Sequence, residues 1–543
     1  MNSIKNVLIQ IILINLILIS FIYAQTDTVI VPDNYDGDYY GAINKFIKEN
    51  PGHGYYKLEV GKYYLLNAPI EPDSNLNTFR LIADKPDPID PTKFPPVVVM
   101  GDIPSDRLLR YFILDEDAHF ENIYFLGAHP TLNLDINVVL ELKKTGGKYS
   151  FDGCYFQWSE WIGIDVEADD MSLTVKNCLI KNYSNATSMW NSRFIQVRSD
   201  HLDTLIMTNN TYFNSNHRFV HGLAYDHYVF EHNTIVNTMK SPPINATYLV
   251  NAKISNNLFY NAYCYGNSAQ DLAPFEDGLP AGLINVKRLL EEHNDSGYTA
   301  ANRKIKIKNN SWYHTQVIKD YWDSFSIIGD SIFNDSTRYI IDSDTEWPGI
   351  VEENTRYMDP GFKKVEGEVE LVDWMTKNRN YEGRTWWPLP LDPDRNRFTI
   401  TWPLVVDFSY TNDTLIIGGE GGFPVGDLNW WGADKVAEWE AWYPTGIESK
   451  SNKTIPIEYL LEQNYPNPFN PSTVIKYSIP NTMNVKVTVH NTLGQKVAEL
   501  VNGKMQAGKH QITFNASNLV SGVYFYSINA GDFHKTKKML LLR

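Results

Sequence analysis

The sequence predicts an all-β protein in which a solenoid of short parallel strands precedes a small β-sandwich. Two observations support this prediction. A five-residue pattern recurs in the middle of the chain at intervals near 24 residues, as expected when each turn contains three short strands. Residues 455–543 instead alternate apolar and polar side chains between Asn-Thr, Asn-Gly and Ala-Gly turns, which is typical of antiparallel strands.

Residues 1–24 are predicted to be a secretory signal peptide, with a single membrane anchor as the alternative. Lys5 precedes an apolar run from Val7 to Tyr23, and Ala24 provides a small residue at the cleavage point. Later apolar runs are too short to span a bilayer, so we expect the mature chain to be soluble or attached to a surface.

The chain is acidic, with a net charge of −16, which excludes nucleic acid as a predicted partner because phosphate binding needs clustered Lys and Arg. The same charge weighs against long-range attraction to strongly anionic polysaccharides, although a local basic patch could override it. Three cysteines are too few for a disulfide scaffold, so the core must hold the fold together.

Each copy of the repeat combines an Asn or Gly with a small or apolar residue and two large apolar residues. The copies are ENIYF at 121–125, DGCYF at 152–156, KNCLI at 176–180, NNTYF at 209–213, HNTIV at 232–236, NNLFY at 256–260 and NNSWY at 309–313. Aligned on their second residues, they are 31, 24, 33, 23, 24 and 53 residues apart, so some turns contain insertions. Asn tolerates left-handed backbone angles at a tight bend, and stacked Asn side chains can hydrogen-bond between turns.

Three predicted strands fit each of three consecutive turns. They are RFIQV at 193–197, LIMTN at 205–209 and TYF at 211–213, then RFVH at 218–221, YVFEH at 228–232 and TIV at 234–236, then TYLV at 247–250, KISN at 253–256 and LFY at 258–260. Upstream, residues 36–65 are predicted to form a short amphipathic helix that covers the open end of the solenoid, followed by a strand. Together these features resemble the right-handed parallel β-helix family, the pectin-lyase-like fold, over residues 25–345. That fold carries many functions, so the resemblance implies architecture rather than a reaction.

Residues 346–450 are rich in tryptophan and are predicted to be a cap over the C-terminal end of the solenoid, followed by a linker. The phrase FPVGDLNWW at 423–431 resembles the end of some β-helix proteins, where it precedes a final helix, here expected at 433–442. The functional alternative is a platform on which sugars stack. Its indoles would be Trp386, Trp387, Trp430 and Trp431.

The C-terminal residues 455–543 contain QNYPNPFNPST at 463–473, then LGQKV, GVYFY and a basic-apolar end. These motifs resemble the type A sorting domain of type IX secretion, which implies a small Ig-like β-sandwich. The resemblance also implies recognition by the outer-membrane secretion machinery and a location outside the cell. The alternative is an ordinary β-sandwich binding module.

Alternation within the predicted strands places a row of polar residues on one outer face of the solenoid, because their apolar neighbours point inward. The members of the row are Glu141, Asp165, Gln196, His221 and Asn285. Successive turns are about 5 Å apart, so a linear ligand could contact several members. The alternative is a solvated face, where polar residues are expected in any case.

Two reactions fit these residue types. A polysaccharide lyase needs a base and a cation that neutralises a uronate carboxylate, and Arg198, Arg218 and His221 could serve, with Ca²⁺ as a possible cofactor. A glycoside hydrolase needs two carboxyl groups, and Asp165 with the neighbouring pair at 169–170 could supply them.

The motifs of known families on this fold are incomplete. The arginine-proline-arginine signature of the classical pectate lyases is missing from the sequence. Asp169-Asp170 and His221-Gly222 are similar to elements of the polygalacturonases, but the remaining elements are missing. We therefore expect a secreted or surface protein that acts on or binds extracellular polysaccharide. We also expect it to be a monomer. The alternative is an adhesin, glycan binder or structural protein without catalysis.

Overall fold

A computed structural model describes most of the chain. The described residues are 28–72, 78–101, 110–127, 138–159, 161–183, 192–199, 201–217, 219–222, 224–246, 248–268, 282–287, 303–329, 331–343, 347–365, 367–379, 400–442, 460–461, 464, 467–479, 483–505, 508–531 and 533–542. The chain divides into two compact units, Met1–Tyr443 and Pro444–Arg543. The predicted signal peptide at 1–24 and the linker at 445–458 lie outside the described residues.

The first unit is a parallel β-helix with three long parallel sheets, which confirms the predicted fold class. Sheet 1 contains Thr28–Ile30, Tyr55–Leu58, Thr78–Ala83, Asp117–Glu121, Lys148–Asp152, Ser172–Lys176, Leu202–Thr208, Ala224–Glu231, Tyr248–Ser255, Lys304–Lys308 and Ile350–Glu353. Sheet 2 contains Tyr63–Leu66, Val97–Met100, Tyr124–Leu126, Tyr155–Gln157, Leu179–Lys181, Thr211–Ser215, Thr234–Thr238, Leu258–Tyr260, Ser311–Tyr313 and Arg356–Tyr357. Sheet 3 contains Phe112–Leu114, Val138–Leu142, Ile162–Val166, Arg193–Val197 and Val220–His221.

The remaining strands of this unit form short pairs. They are Ile244–Ala246 with Ile284–Val286, Asn267–Ser268 with Ile327–Ile328, and Phe362–Lys364 with Asp407–Tyr410. The α-helices are Ala42–Glu49, Gln316–Ser324, Asp335–Asp342, Glu368–Arg379, Asp413–Ile416 and Ala433–Trp442, and the 3₁₀ helices are Glu420–Gly422 and Leu428–Trp431. Across the described parts of the chain, every helix is too short or too polar to cross a membrane.

The corner between sheets 1 and 2 is the most regular part of each turn. Its first residue has a positive φ, between 52° and 62° in every repeat. These residues are Asn122, Gly153, Asn177, Asn209, His232, Asn256 and Asn309. The alignment of the copies on their second residues is therefore wrong by one position for the last four copies. In those copies the bend lies at the first residue, as at Asn209. Left-handed backbone geometry explains the recurrent Asn and Gly.

The residue after each bend points into the solenoid, and in four successive turns it is a buried Asn. Asn210 donates from its side-chain amide to Oδ1 of Asn233 at 3.0 Å, and Asn233 donates to Asn257 at 3.1 Å. Asn257 continues the ladder to Asn310 at 2.9 Å. Each amide group also hydrogen-bonds the backbone, so the ladder satisfies polar groups that would otherwise be buried without partners. The predicted turn-to-turn Asn stacking is present.

One predicted strand was misplaced. The third predicted turn begins with a strand at 247–250 and continues with a second strand at 253–256. In the structure, Tyr248–Ser255 is a single strand of sheet 1. Ile244–Ala246, beside Val220–His221, takes the position next to sheet 3. The strand Ile244–Ala246 was missed because a three-residue strand is too short to show alternation.

The interior of the solenoid is filled by apolar side chains that stack from turn to turn. Phe120 lies over Phe151 with ring centroids 5.1 Å apart, and Phe125 lies over Phe156 at 4.9 Å. The helix Ala42–Glu49 covers the N-terminal end, as predicted from the sequence, and buries Phe46. At the other end the helix Asp335–Asp342 packs Ile340 against the same core.

Residues 400–442, here called the strap, lie across the outer face of sheet 2 rather than over the last turn. Trp402 packs edge-on against Tyr155, and Phe408 packs against Phe213. Further along, the Asp427 carboxylate accepts a hydrogen bond from the Thr211 hydroxyl at 2.6 Å. The helix Ala433–Trp442 has the predicted bounds. The strap therefore covers apolar side chains that point away from the solenoid core.

The second unit is an antiparallel β-sandwich. One sheet contains Leu460–Leu461, Ser472–Ile479 and Gly508–Asn515, and the other contains Met483–His490, Lys496–Met505, Gly522–Ala530 and Phe533–Leu541. Ile475 from the first sheet and Val487, Tyr526 and Met539 from the second share one buried core. This agrees with the small Ig-like sandwich predicted from the sequence.

Candidate functional site

The outer face of sheet 3 contains most of the predicted polar row. Asp165 is in register with Glu141 on one side and with Gln196 on the other, and Gln196 is in register with His221. Parallel strands lie about 4.8 Å apart, so these four side chains follow one another along the solenoid. We call Glu141, Asp165, Gln196 and His221 the sheet 3 row.

Asp165 and Arg198 form the centre of the site. Nε of Arg198 lies 2.8 Å from each carboxylate oxygen of Asp165, whose side chain is only 1% exposed. The Arg198 guanidinium lies over the ring of Trp161 at 5.1 Å from its centroid, and the side chain remains 41% exposed. Burial raises the pKa of the Asp165 carboxyl, and the hydrogen bond from Arg198 partly opposes that rise. Asp165 therefore holds an arginine that is accessible from outside.

Glu141 occupies the preceding strand and is almost fully buried. It forms an ion pair with Arg110, and Nζ of Lys143 lies 3.5 Å from its carboxylate. Burial raises the pKa of Glu141, and a hydrogen bond with the exposed Glu167 raises it further, because two carboxyl groups share a proton more easily than they carry two charges.

Gln196 links the charged centre of the site to a histidine. Its side-chain oxygen accepts a hydrogen bond from Arg193, and its amide nitrogen lies 3.1 Å from Nδ1 of His221. Burial lowers the pKa of Arg193, and the nearby charge of Arg198 contributes to the same shift. Both Arg193 and His221 are half-buried, so they reach the surface beside Arg198.

The row differs from its prediction in one respect. Its side chains point away from the core, as expected, but three of the four are buried under the arginines and Trp161 rather than solvated. The residues that reach solvent around the row are instead Arg110, Lys143, Trp161, Glu167, Arg193 and Arg198.

Other predicted site residues lie elsewhere or carry other contacts. Asn285 is paired with Asn245 on a separate short sheet, and its side chain bonds the backbone N–H and C=O of Gly282, so its amide locks a turn. Trp430 donates to the Thr211 hydroxyl and so attaches the strap to sheet 2, whereas Trp431 packs on Tyr410 within the strap itself. Arg218, Trp386 and Trp387 lie outside the described residues.

Sequence reasoning missed Arg110, Trp161 and Glu167 and gave Arg193 no role. Arg110, Trp161 and Glu167 lie one or two residues outside a strand, where a period of two carries no information about direction. A usable signal was present in the spacing from Arg193 to Arg198, since Arg193 begins a five-residue strand and Arg198 directly follows it. Basic residues at both ends of a buried strand suggest carboxylates on the neighbouring strand.

The insertions in the repeat also fall beside this face. From the strand Asp117–Glu121 onward, sheets 1 and 2 are joined by two residues in each turn, such as 153–154 and 177–178. Sheets 2 and 3 are joined either by short stretches, such as 158–161, or by long ones at 127–137 and 182–192. In solenoids, insertions collect on one face that is often the binding face, and here they lead directly into the row strands.

The described residues contain no group of three His, Cys, Asp or Glu side chains placed to hold a metal ion. The functional groups at the row are arginines, one lysine, carboxyl groups, one amide, one imidazole and one indole. Guanidinium groups held in place by buried carboxylates suit an anionic ligand, because their orientation is fixed before binding.

The fold defines a parallel β-helix protein with this site on sheet 3 and a β-sandwich as its second unit. Residues 463–542 match the family model of the secretion system C-terminal sorting domain. That domain marks proteins that the type IX system secretes and anchors at the cell surface, which confirms the predicted location and secretion partner. A search of curated proteins found no match to this chain.

Proposed function

We propose that the protein is a surface-anchored binder of an acidic extracellular polysaccharide, which it holds along the outer face of sheet 3. The observation that supports this most directly is the Asp165–Arg198–Trp161 arrangement. The buried Asp165 carboxylate holds Arg198, which stays exposed and lies over the Trp161 ring. A carboxylate on a sugar would pair with the guanidinium, while the sugar ring would stack beside the indole.

The accessible part of the site is more basic than the molecule as a whole. The cations are Arg110, Lys143, Arg193 and Arg198, and the carboxyl groups are Glu141, Asp165 and Glu167. These four cations outnumber the three carboxyl groups, so the face carries a local positive excess despite a net charge of −16, and an anionic chain is attracted at short range.

Binding is favoured over cleavage because the carboxyl groups of Glu141 and Asp165 are covered. A catalytic acid or base must come within hydrogen-bond distance of the proton it transfers. The guanidinium of Arg198, by contrast, can contact a ligand without any rearrangement of the site.

The test is affinity electrophoresis and calorimetry of the mature protein with polygalacturonate, alginate and neutral glucans. We expect at least one polyuronate to bind and Arg198→Gln to weaken it by about tenfold or more, the usual size for losing a charge-assisted hydrogen bond. Arg80→Gln is the matched control, because Arg80 also lies over a ring, that of Tyr55 at 5.3 Å, but on sheet 1. Equal weakening by both substitutions, or no polyuronate binding, would contradict the proposal.

Cleavage is the second candidate, and one observation favours it. Glu141 and Asp165 lie on adjacent strands and both have raised pKa values, the property that a general acid needs near neutral pH. The same incubations distinguish the reactions. Ultraviolet absorbance from unsaturated ends would show a lyase, new reducing ends without that absorbance would show a hydrolase, and intact polymer would leave a binder.

A further inference from the structure

A second aromatic surface lies at the N-terminal end of sheet 2, on a different face from the sheet 3 row. Tyr40 pairs with Leu65 as an extra rung before the first strand of sheet 2, and Leu65 is in register with Val99. Tyr63 lies two residues before Leu65 on the same outward face, since the intervening Tyr64 is buried in the core. We call Tyr40, Tyr63 and Leu65 the aromatic platform.

The platform is the exposed end of a row of apolar side chains on the outer face of sheet 2. Further along sheet 2 the outward residues Val97, Val99 and Tyr124 are buried. At the platform itself Tyr40 is 53% exposed and Tyr63 is 37% exposed. Tyr39, beside them in sequence, is also exposed.

Neighbouring residues hold both tyrosine rings of the platform in place. A Cβ atom on Gly101 would lie 2.8 Å from Cδ1 of Tyr40 and 3.0 Å from Cε1, so the tyrosine ring rests on this glycine. On the other side Phe94 supports Tyr63 edge-on, with ring centroids 5.5 Å apart. These contacts restrict the motion of both rings before a ligand binds, so less conformational entropy is lost when a sugar stacks on them.

We propose that the aromatic platform is a binding site for an uncharged sugar ring of an extracellular polysaccharide. The C–H groups on one face of a pyranose carry a slight positive charge that is attracted to the negative face of an aromatic ring. The ion pair between Lys62 and Asp33, 3.1 Å apart at the edge of the platform, provides donors and acceptors for hydroxyl groups.

The area of the platform favours a sugar over a folded protein as its ligand. A large aromatic side chain buries roughly 150–250 Å² when covered completely, so the exposed parts of Tyr40, Tyr63 and Leu65 together offer roughly 200 Å². A stable protein–protein interface needs about 800 Å² from each partner. The platform is therefore large enough for one or two sugar rings and too small for a protein alone.

The C-terminal end of the solenoid provides a matched control. Tyr339 is 49% exposed and Tyr357 is 39% exposed, which is close to the values for Tyr40 and Tyr63. Their rings are differently placed, because Lys319 lies over Tyr357 at 4.8 Å and Tyr339 packs edge-on against Trp347. A sugar cannot stack on a face that a lysine already occupies.

The experiment is affinity electrophoresis of the full mature chain in gels containing xyloglucan, glucomannan, amylopectin or a β-1,3-glucan. We expect at least one to retard the protein, Tyr40→Ala with Tyr63→Ala to abolish that retardation, and Gly101→Ala to weaken it severalfold by displacing the Tyr40 ring. The pair Tyr339→Ala with Tyr357→Ala should leave it unchanged.

Arg198→Gln separates this proposal from the function proposed for sheet 3, since retardation by a neutral polymer should survive that substitution. Unaltered retardation in the Tyr40→Ala, Tyr63→Ala variant would overturn the proposal, as would the absence of retardation by all four polymers. Light scattering serves as the second readout. A concentration-dependent dimer that disappears in the double variant would identify a second copy of the chain as the occupant and would also overturn it.

Discussion

The buried asparagine ladder shows how single residues determine the solenoid. Asn233 accepts from the backbone N–H and the side-chain amide of Asn210, and it donates to the carbonyl oxygen of Met207. An alanine at this position would leave a buried backbone donor and a buried backbone acceptor without partners, and each such loss costs about 1–3 kcal/mol. The ladder therefore makes Asn, rather than any small residue, necessary in these turns.

We expect Asn233→Ala to lower the free energy of unfolding by about 2–4 kcal/mol, read from the midpoint of urea denaturation followed by circular dichroism. Asn251→Ala is the control, because Asn251 makes one long bond of 3.4 Å to the carbonyl oxygen of Asp226 at the surface of sheet 1. An unchanged midpoint for Asn233→Ala would show that the ladder contributes nothing to stability.

His201 gives the solenoid a pH-dependent contact across three turns. It lies 2.9 Å from Asp226 and 3.2 Å from Asp170, and the hydrogen bond to Asp226 is the main cause that raises its pKa to about 9. The folded-state pKa is above the unfolded value of about 6.5, so the stabilisation is complete below pH 6.5 and is lost as the pH rises through 9.

His201→Gln should therefore destabilise the protein at pH 6 and have a much smaller effect above pH 9.5. The measurement is the difference between the urea midpoints of the parent and the variant at the two pH values. An equal difference at both would mean that the imidazolium charge does not contribute, and that the loss arises from packing alone.

Among the elements, the strap makes the contacts that are hardest to predict from the sequence. Its tryptophans predicted a cap, but the covered surface is the side of sheet 2, since Trp402 contacts Tyr155 and Trp430 contacts Thr211. Tryptophan content shows that an indole will be buried but not which surface will bury it. That depends on contacts between residues more than 200 positions apart, such as the one between Asp427 and Thr211.

Asp427 fixes the middle of the strap. Its carboxylate accepts from the Thr211 hydroxyl and from the backbone and side-chain nitrogens of Asn429. Asp427→Ala should lower the free energy of local opening of the strap by about 2 kcal/mol. Hydrogen exchange of the backbone amides at 419–431 should therefore be about 30-fold faster.

Exchange in the sheet 2 strand Thr234–Thr238 should stay slow in this variant, because the opening is local. Asp434→Ala, at an exposed position at the start of the helix Ala433–Trp442, is the control. Equal protection of 419–431 in Asp427→Ala and the parent would contradict the assigned role.

The strands were the elements best predicted from the sequence. Arg193–Val197 matched its prediction because the polar Gln196 alternates there with the inward-pointing Ile195 and Val197. The bend itself was misaligned by one residue in copies such as NNTYF, because two consecutive asparagines satisfy the pattern equally and only the φ angle separates them. The direction of the sheet 3 row was predictable from alternation, whereas its burial was not, since Arg110 and Trp161 cover it from outside the strands.

For the whole molecule, the sorting domain at 463–542 determines where the solenoid works. Its motif is local in sequence, so it was recognisable without a structure. The proposed polysaccharide site is not local, because it combines Arg110, Asp165 and Arg198 from three different turns. A net charge of −16 gave no indication of a basic face, since total charge does not report how charges are distributed.

The central claim is that sheet 3 presents arginines, fixed by buried carboxylates, to an acidic polysaccharide. The most direct measurement is a crystal structure of the protein with a bound oligouronate, chosen from the polymers that bind. We predict a sugar carboxylate within about 3 Å of the Arg198 guanidinium, with its ring beside Trp161. An oligouronate bound on another face, with Arg198 still contacting only Asp165, would contradict the claim.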